Sequence, residues 1–122
     1  MLYGTGLGWL LDRYLAHHEL PSAASIWCMK VHGAALLVFL IAYGALLPNH
    51  VVLGWRLQRN RRSGALMLSV VAALVLTGYG LYYAGEESLR TLLSVSHWLL
   101  GLAAAPALGL HVALGRRSAR EL

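Results

Sequence analysis

Residues 30–50 read KVHGAALLVFLIAYGALLPNH, with a histidine near each end of a stretch that is otherwise almost wholly apolar. A run of this length matches the ~20 residues that an α-helix needs to cross a hydrocarbon core of ~30 Å. Within that core the backbone polar groups must be paired inside the segment, which favours a helix. An ionisable side chain at such depth is costly and marks a functional position by default. The stretch therefore predicts a membrane helix whose histidines have a functional role.

The composition of the chain also indicates lipid as its solvent. Of the 122 residues, 58% are hydrophobic and 12% are charged, and the mean hydropathy is +0.60, whereas a soluble domain carries about 25% charged residues. The net charge of +5 does not indicate nucleic acid, because the arginines lie at the ends of apolar segments and not on a basic face. The single cysteine excludes an internal disulfide, and the lack of a CxxCH motif excludes covalent haem attachment.

The apolar segments predict one all-α integral membrane domain over residues 1–122. A shorter segment, residues 2–16, would cover only about 22 Å as a helix. It either crosses the bilayer as a short, tilted fourth helix or lies in the interface. Three predicted transmembrane helices follow it, at about residues 25–59, 63–83 and 89–114.

The connecting loops predict the orientation of these helices. Basic residues number seven on one side and three on the other, and the side richer in arginine and lysine is cytoplasmic by the positive-inside rule. The first and third predicted transmembrane helices then run parallel, and the second returns between them. The seven basic residues of the cytoplasmic side lie in the loop after the first transmembrane helix and at the C-terminus. They are Arg56, Arg59, Arg61, Arg62, Arg116, Arg117 and Arg120.

Four of the six histidines lie in or at the ends of the two parallel helices. At about 100° per residue, His32 and His50 share one helix face, and so do His97 and His111. Because the helices are parallel, His32 is expected to meet His97 near the outer leaflet, and His50 to meet His111 near the inner one. Two facing imidazoles supply the two axial nitrogens of a haem iron inside a helical bundle. The pattern therefore predicts a four-helix haem-binding bundle with two such pairs.

Small and basic residues accompany the predicted ligands. Gly33 and Gly101 lie beside the outer histidines and would let a porphyrin approach the backbone, although glycines equally serve tight helix packing. Arg56 and Arg116 lie beside the inner histidines and match the carboxylates of haem propionates. Their role in orienting the chain needs no haem, so both interpretations stay open.

Four quoted elements resemble the small bacterial di-haem membrane cytochromes b, within the cytochrome b superfamily of quinone-linked electron-transfer subunits. They are KVHGAALLVFLIAYGALLPNHVVLGW (30–55), RNRRSG (59–64), LTGYGLYYAGEE (76–87) and SHWLLGLAAAPALGLHVALGRR (96–117). The resemblance implies that His32, His50, His97 and His111 bind two haems b.

That resemblance also implies a function and a location. The chain would transfer single electrons across the bacterial inner membrane, between a quinone or quinol and a redox partner such as a periplasmic c-type cytochrome or a dehydrogenase subunit. It would work either as the membrane subunit of a larger complex or as a stand-alone quinone-linked oxidoreductase.

Two other functions remain open at this stage. The chain could be a cofactor-free membrane anchor whose histidines pack or bind a partner, or a subunit of a metal or proton transporter. Copper and zinc also accept imidazole, but they usually recruit cysteine, methionine or carboxylate ligands as well, and no carboxylate lies within a predicted transmembrane helix. His17 and His18 occupy a polar turn before Pro21, and we expect them to be interfacial and not ligands. No residue set for hydrolysis or phosphoryl transfer is visible.

Overall fold

The computed structural model describes residues 1–15 and 20–120, without the side chains of residues 119 and 120. The predicted interfacial histidines, His17 and His18, lie outside the described residues. Within the described residues the chain is all-helical and contains no strand. A π-helical segment, Leu47–Val52, joins the second helix to the third. The five α-helices are α1 (Leu2–Leu15), α2 (Ala23–Leu46), α3 (Leu53–Arg56), α4 (Arg61–Tyr83) and α5 (Glu87–Arg120).

Three stretches of helix are long and apolar enough to cross a membrane: Ala23–Arg56, Arg61–Tyr83 and Glu87–Ser118. This finding confirms the predicted all-α class and the three helices of membrane length. The side chains agree with it, since none of the described hydrophobic residues is buried. Leu37, Ile41 and Leu76 expose 65%, 76% and 70% of their surface, and a soluble monomer rarely shows so extended an apolar surface. The apolar helices therefore fit a lipid bilayer.

The helices fall into two compact units, Met1–Leu47 and Pro48–Leu122. In the first unit α1 packs against α2 as a helical hairpin. The N-cap residue of α2, Ser22, accepts a hydrogen bond from the backbone N–H of Ser25 at 3.0 Å and donates one to the Asp12 carboxylate at 2.8 Å. An N-cap hydroxyl satisfies a helix-end N–H that has no partner within the helix. The same hydroxyl thus starts α2 and fastens it to α1.

In the second unit α4 packs against α5, again as a hairpin. The Glu86 carboxylate accepts hydrogen bonds from the backbone N–H groups of Ser88 at 3.0 Å and Leu89 at 2.9 Å, and so caps the start of α5. Hydrogen bonds from Ser88 first, and then from the Leu89 backbone, hold the pKa of Glu86 below its ordinary value of 4.5. Arg90 donates to the carbonyl oxygen of Leu81 at 2.9 Å, which ties the last part of α4 to the first turns of α5.

The stretch predicted as one helix over residues 25–59 is helical from Ala23 to Arg56, and its hydrogen-bonding pattern changes within it. Its α-helical part ends at Leu46, the π segment covers residues 47–52, and α3 adds a single turn that ends at Arg56. Pro48 explains the change, because its ring lacks an N–H and collides with the carbonyl four residues earlier in an α-helix. The wider π-helix, with hydrogen bonds from residue i to i+5, accommodates such a residue and is frequent at functional sites.

The other boundaries differ by shorter distances. The second predicted transmembrane helix begins at Arg61 and not at residue 63, just after Gln58 and Asn60, which adopt φ of 57° and 49°. The third covers Glu87–Arg120 and not residues 89–114. Glu86 caps it earlier than hydropathy alone places its start, and the polar end beyond residue 114 contains alanine and arginine, which continue a helix well.

Candidate functional site

The second unit brings the rings of two predicted ligands into contact. The His50 ring, on the π segment, lies with its centre 5.9 Å from that of His111 on α5, and the two ring planes are 78° apart. Two metal–nitrogen bonds of about 2 Å each, with the half-widths of two imidazoles added, separate ring centres by roughly 6 Å. The separation therefore fits two imidazoles that share one metal ion, and it equally fits an edge-to-face ring contact.

His111 is held by the start of α4. The Ser63 hydroxyl lies 2.9 Å from Nδ1 of His111, and the Asn60 amide donates to the His111 carbonyl oxygen at 2.9 Å. Ser63 also donates to the Asn60 side-chain oxygen and is only 7% exposed. A Cβ at Gly64 would lie 3.8 Å from Cε1 of the imidazole, an ordinary contact. Asn60 and Ser63 thus fix both the backbone and the ring of this histidine.

His97 meets the same kind of partner farther along α4. The hydroxyl of Thr77 lies 3.0 Å from Nδ1 of His97 and 2.7 Å from the Ala73 carbonyl oxygen, one helical turn earlier. A Cβ at Gly78 would come within 3.1 Å of Cε1 of His97, closer than side chains normally tolerate. This position of the ring therefore depends on glycine at residue 78.

His32 has an equivalent arrangement within the first unit. Nδ1 of His32 lies 3.0 Å from the Thr5 hydroxyl on α1, and a Cβ at Gly6 would lie 3.4 Å from its Cε1. The half-buried imidazole therefore packs on the backbone of α1, as His97 packs on α4. Because His32 and His97 belong to different units, their pairing at the outer leaflet stays a prediction.

The remaining predicted site residues lie near these histidines in sequence. Gly33 and Gly101 are half-buried, and a Cβ at Gly101 would meet no heavy atom within 4 Å in the described part of the chain. Arg56 closes α3 and Arg116 lies near the end of α5, both exposed. Their contact with propionates stays a prediction.

Sequence reasoning missed the partners of the histidines, namely Thr5, Asn60, Ser63 and Thr77. A signal for three of them was present. Ser or Thr followed directly by Gly occurs three times in the sequence, at residues 5–6, 63–64 and 77–78. Each occurrence contacts Nδ1 of a different predicted ligand.

In the second unit, the side chains that could bind a metal ion together are the two histidines His50 and His111, whose rings are in contact. Across the residues that the structure describes, no group of three or more His, Cys, Asp or Glu side chains comes together as a metal site. Two imidazoles are fewer than the four protein ligands that a structural zinc site takes. Comparisons with models of known protein families, with curated proteins and with solved structures find no match to this chain.

Proposed function

We propose that this chain is a membrane cytochrome b that carries single electrons across the bilayer through two bis-histidine haems b. Electrons would pass between a membrane quinone and a redox partner, either a c-type cytochrome or a dehydrogenase subunit, in the bacterial inner membrane. The observation that carries the proposal is the contact between the His50 and His111 rings, with centres 5.9 Å apart and planes at 78°. A bound haem would supply the one-electron chemistry of its iron, and the protein would supply ligands, burial and nearby charge.

The inner haem would be held by His50 and His111. The Ser63 hydroxyl, 2.9 Å from Nδ1 of His111, orients that ring and leaves Nε2 as the ligating nitrogen. The arginines near this end of the second unit, Arg56 and Arg116, would pair with the propionates, whose geometry matches the guanidinium fork. If this arginine-rich end is cytoplasmic, as the positive-inside rule predicts, the inner haem lies toward the cytoplasm.

The outer haem would be held by His32 and His97. On the continuous helix α5, His97 and His111 are 14 residues apart, which places them about 21 Å apart along the helix axis. Two haems bound at these depths would lie in different leaflets, and this arrangement would let electrons cross the hydrocarbon core in steps. A cofactor-free anchor would not need two histidines at two depths of one helix.

The proposal is tested by counting haem. The chain is expressed with haem supply, purified in detergent, and assayed by the pyridine haemochrome method with iron counted per chain. We expect two haems b per chain and a sharp α-band on reduction. His111→Ala should retain one haem, and so should His97→Ala, while His18→Ala, the matched control at a predicted interfacial histidine, should retain both.

A colourless preparation with full helical content by circular dichroism would refute the cytochrome proposal and support the anchor. A colourless preparation that instead moves zinc, copper or protons into liposomes would support a transporter. One haem per chain in the unmutated protein would contradict the two-site arrangement.

A further inference from the structure

We infer that the three hydroxyl–glycine dipeptides, Thr5-Gly6, Ser63-Gly64 and Thr77-Gly78, are positioning elements that hold His32, His111 and His97 with the hydrogen on Nδ1 and the lone pair on Nε2. These are the three places in the sequence where Ser or Thr precedes Gly. Each meets one histidine across a helical hairpin, with hydroxyl-to-Nδ1 distances of 3.0, 2.9 and 3.0 Å. The expected effect on haem binding rests on the proposed function. The tautomer of the imidazoles does not depend on it.

The direction of each hydrogen bond follows from the second partner of the hydroxyl. A hydroxyl has one hydrogen and two lone pairs. Thr77 donates its hydrogen to the Ala73 carbonyl oxygen at 2.7 Å, and Thr5 donates to the carbonyl oxygen of Met1 or Leu2, each at 3.1 Å. Ser63 likewise donates to the side-chain oxygen of Asn60. The amide nitrogen of Asn60 lies 3.4 Å from Nδ1 of His111, but its shorter contact, 2.9 Å, is the hydrogen bond that it donates to the His111 carbonyl oxygen.

With its hydrogen engaged in this way, each hydroxyl presents a lone pair to the histidine. Nδ1 must then be the donor. A neutral imidazole carries one N–H, so Nε2 holds the lone pair. This is the tautomer that binds a metal through Nε2, and a hydrogen bond at Nδ1 makes such a ligand more basic.

Glycine has a separate role from the hydroxyl, and its importance differs among the three dipeptides. The imidazole lies over the backbone beside the hydroxyl, where a Cβ on the next residue would point at Cε1. That Cβ would stand 3.1 Å from the ring at Gly78, 3.4 Å at Gly6 and 3.8 Å at Gly64. At residue 78 the glycine lets the ring come close enough for the hydroxyl to reach Nδ1, whereas a Cβ at Gly64 would make only an ordinary contact.

One predicted ligand, His50, differs from the other three in its surroundings. In the described part of the chain, no hydroxyl–glycine dipeptide contacts His50, which lies on the π segment and meets the ring of His111.

Thr77→Val should weaken binding of the outer haem alone, and Ser63→Ala should weaken binding of the inner haem alone. Loss of a hydrogen bond to a metal-bound histidine lowers metal affinity by about 10–100-fold. The potential of the affected haem should rise, since a less basic imidazole stabilises the oxidised iron less.

The test follows the Nδ1 proton of His97. The full chain is labelled with ¹⁵N-histidine and studied by NMR in detergent, with any haem iron reduced, and the His97 signal is identified by its loss in His97→Gln. We expect a hydrogen on Nδ1 that exchanges slowly with water, and exchange up to ~10-fold faster in Thr77→Val, the factor that corresponds to loss of one hydrogen bond. Thr91→Val, an exposed threonine on α5, is the matched control and should change nothing. In haem-loaded chains, transfer of the outer haem to apomyoglobin should be about 10–100-fold faster in Thr77→Val.

The outcomes separate this inference from the proposed function. A haem-free chain whose His97 keeps a protected Nδ1 hydrogen supports the positioning role and refutes the cytochrome. Two haems per chain with equal exchange rates and equal haem loss in Thr77→Val and Thr91→Val support the cytochrome and overturn the positioning role. A hydrogen on Nε2 of His97 in haem-free chains would overturn it as well.

Discussion

Adding a single methyl group at residue 78 should displace His97. In Gly78→Ala the new Cβ would lie 3.1 Å from Cε1 of the imidazole, whereas van der Waals contact between carbon atoms is optimal at about 3.5–4.0 Å. The ring must retreat by a few tenths of an ångström, which carries Nδ1 away from the Thr77 hydroxyl, now 3.0 Å distant. The substitution therefore strains the packing and stretches a hydrogen bond at once.

The size of the effect follows from two opposing contributions. Overpacking costs typically about 1–3 kcal/mol, while replacing glycine by alanine inside a helix stabilises it by about 1 kcal/mol. At Gly64 the corresponding Cβ would lie 3.8 Å from Cε1 of His111. Gly64→Ala should therefore gain the helix stabilisation without the cost of overpacking. Gly64→Ala is the matched control, and the two variants should differ in free energy of unfolding by about 1–3 kcal/mol.

The assay is unfolding of both variants in mixed detergent and SDS, followed by circular dichroism, with haem absorbance recorded in parallel. We expect Gly64→Ala to match or exceed the stability of the unmutated chain and Gly78→Ala to fall below Gly64→Ala. If haem is bound, Gly78→Ala should also broaden or shift the α-band of one haem. Equal unfolding midpoints with identical spectra would refute the reasoning, because they would mean that the imidazole of His97 does not lie against the backbone at residue 78.

Two further predictions concern the helix ends. The pKa of Glu86 is lowered by its hydrogen bonds from Ser88 and Leu89, so its contribution to stability is complete above about pH 4.5 and is lost as the pH falls through the lower folded value. Glu86→Gln should therefore flatten the loss of stability between pH 5 and pH 3, as measured by unfolding at each pH; an unchanged pH profile would contradict the capping role. Asn60→Gly keeps the left-handed backbone but removes the amide bond to His111, for a loss of about 0.5–1.5 kcal/mol. Asn60→Ala should cost about 1 kcal/mol more because alanine disfavours that conformation, and equal losses in the two variants would contradict this.

The class of the fold was predictable because it depends on composition. Long apolar runs such as residues 30–47 can only be solvated by lipid, and lipid requires helices, so three membrane-length helices followed without knowledge of any contact. The change from α-helix to π-helix after Leu46 was not predictable from composition. Hydropathy does not determine which carbonyl oxygen each backbone N–H bonds to, and Pro48 could have produced a kink, a helix end or a π segment.

The contact between His50 and His111 was predictable for a related reason. Depth and helix direction placed His50 opposite His111, and their ring centres are 5.9 Å apart. The hydroxyl partners were missed because a serine or threonine in a membrane helix commonly satisfies its own backbone. Thr77 does that too, with the Ala73 carbonyl oxygen, and only the packing of α5 reveals that its oxygen serves a histidine as well.

The contacts of the three hydroxyls have a consequence for how the protein assembles. Each joins residues of one helical hairpin, separated by 27, 48 and 20 positions along the chain, and short separations make loop closure cheap in entropy. Each of the three contacts can therefore form as soon as the two helices of its own hairpin have packed. The imidazoles of His32, His97 and His111 can thus acquire their hydroxyl partners hairpin by hairpin while the chain is being inserted.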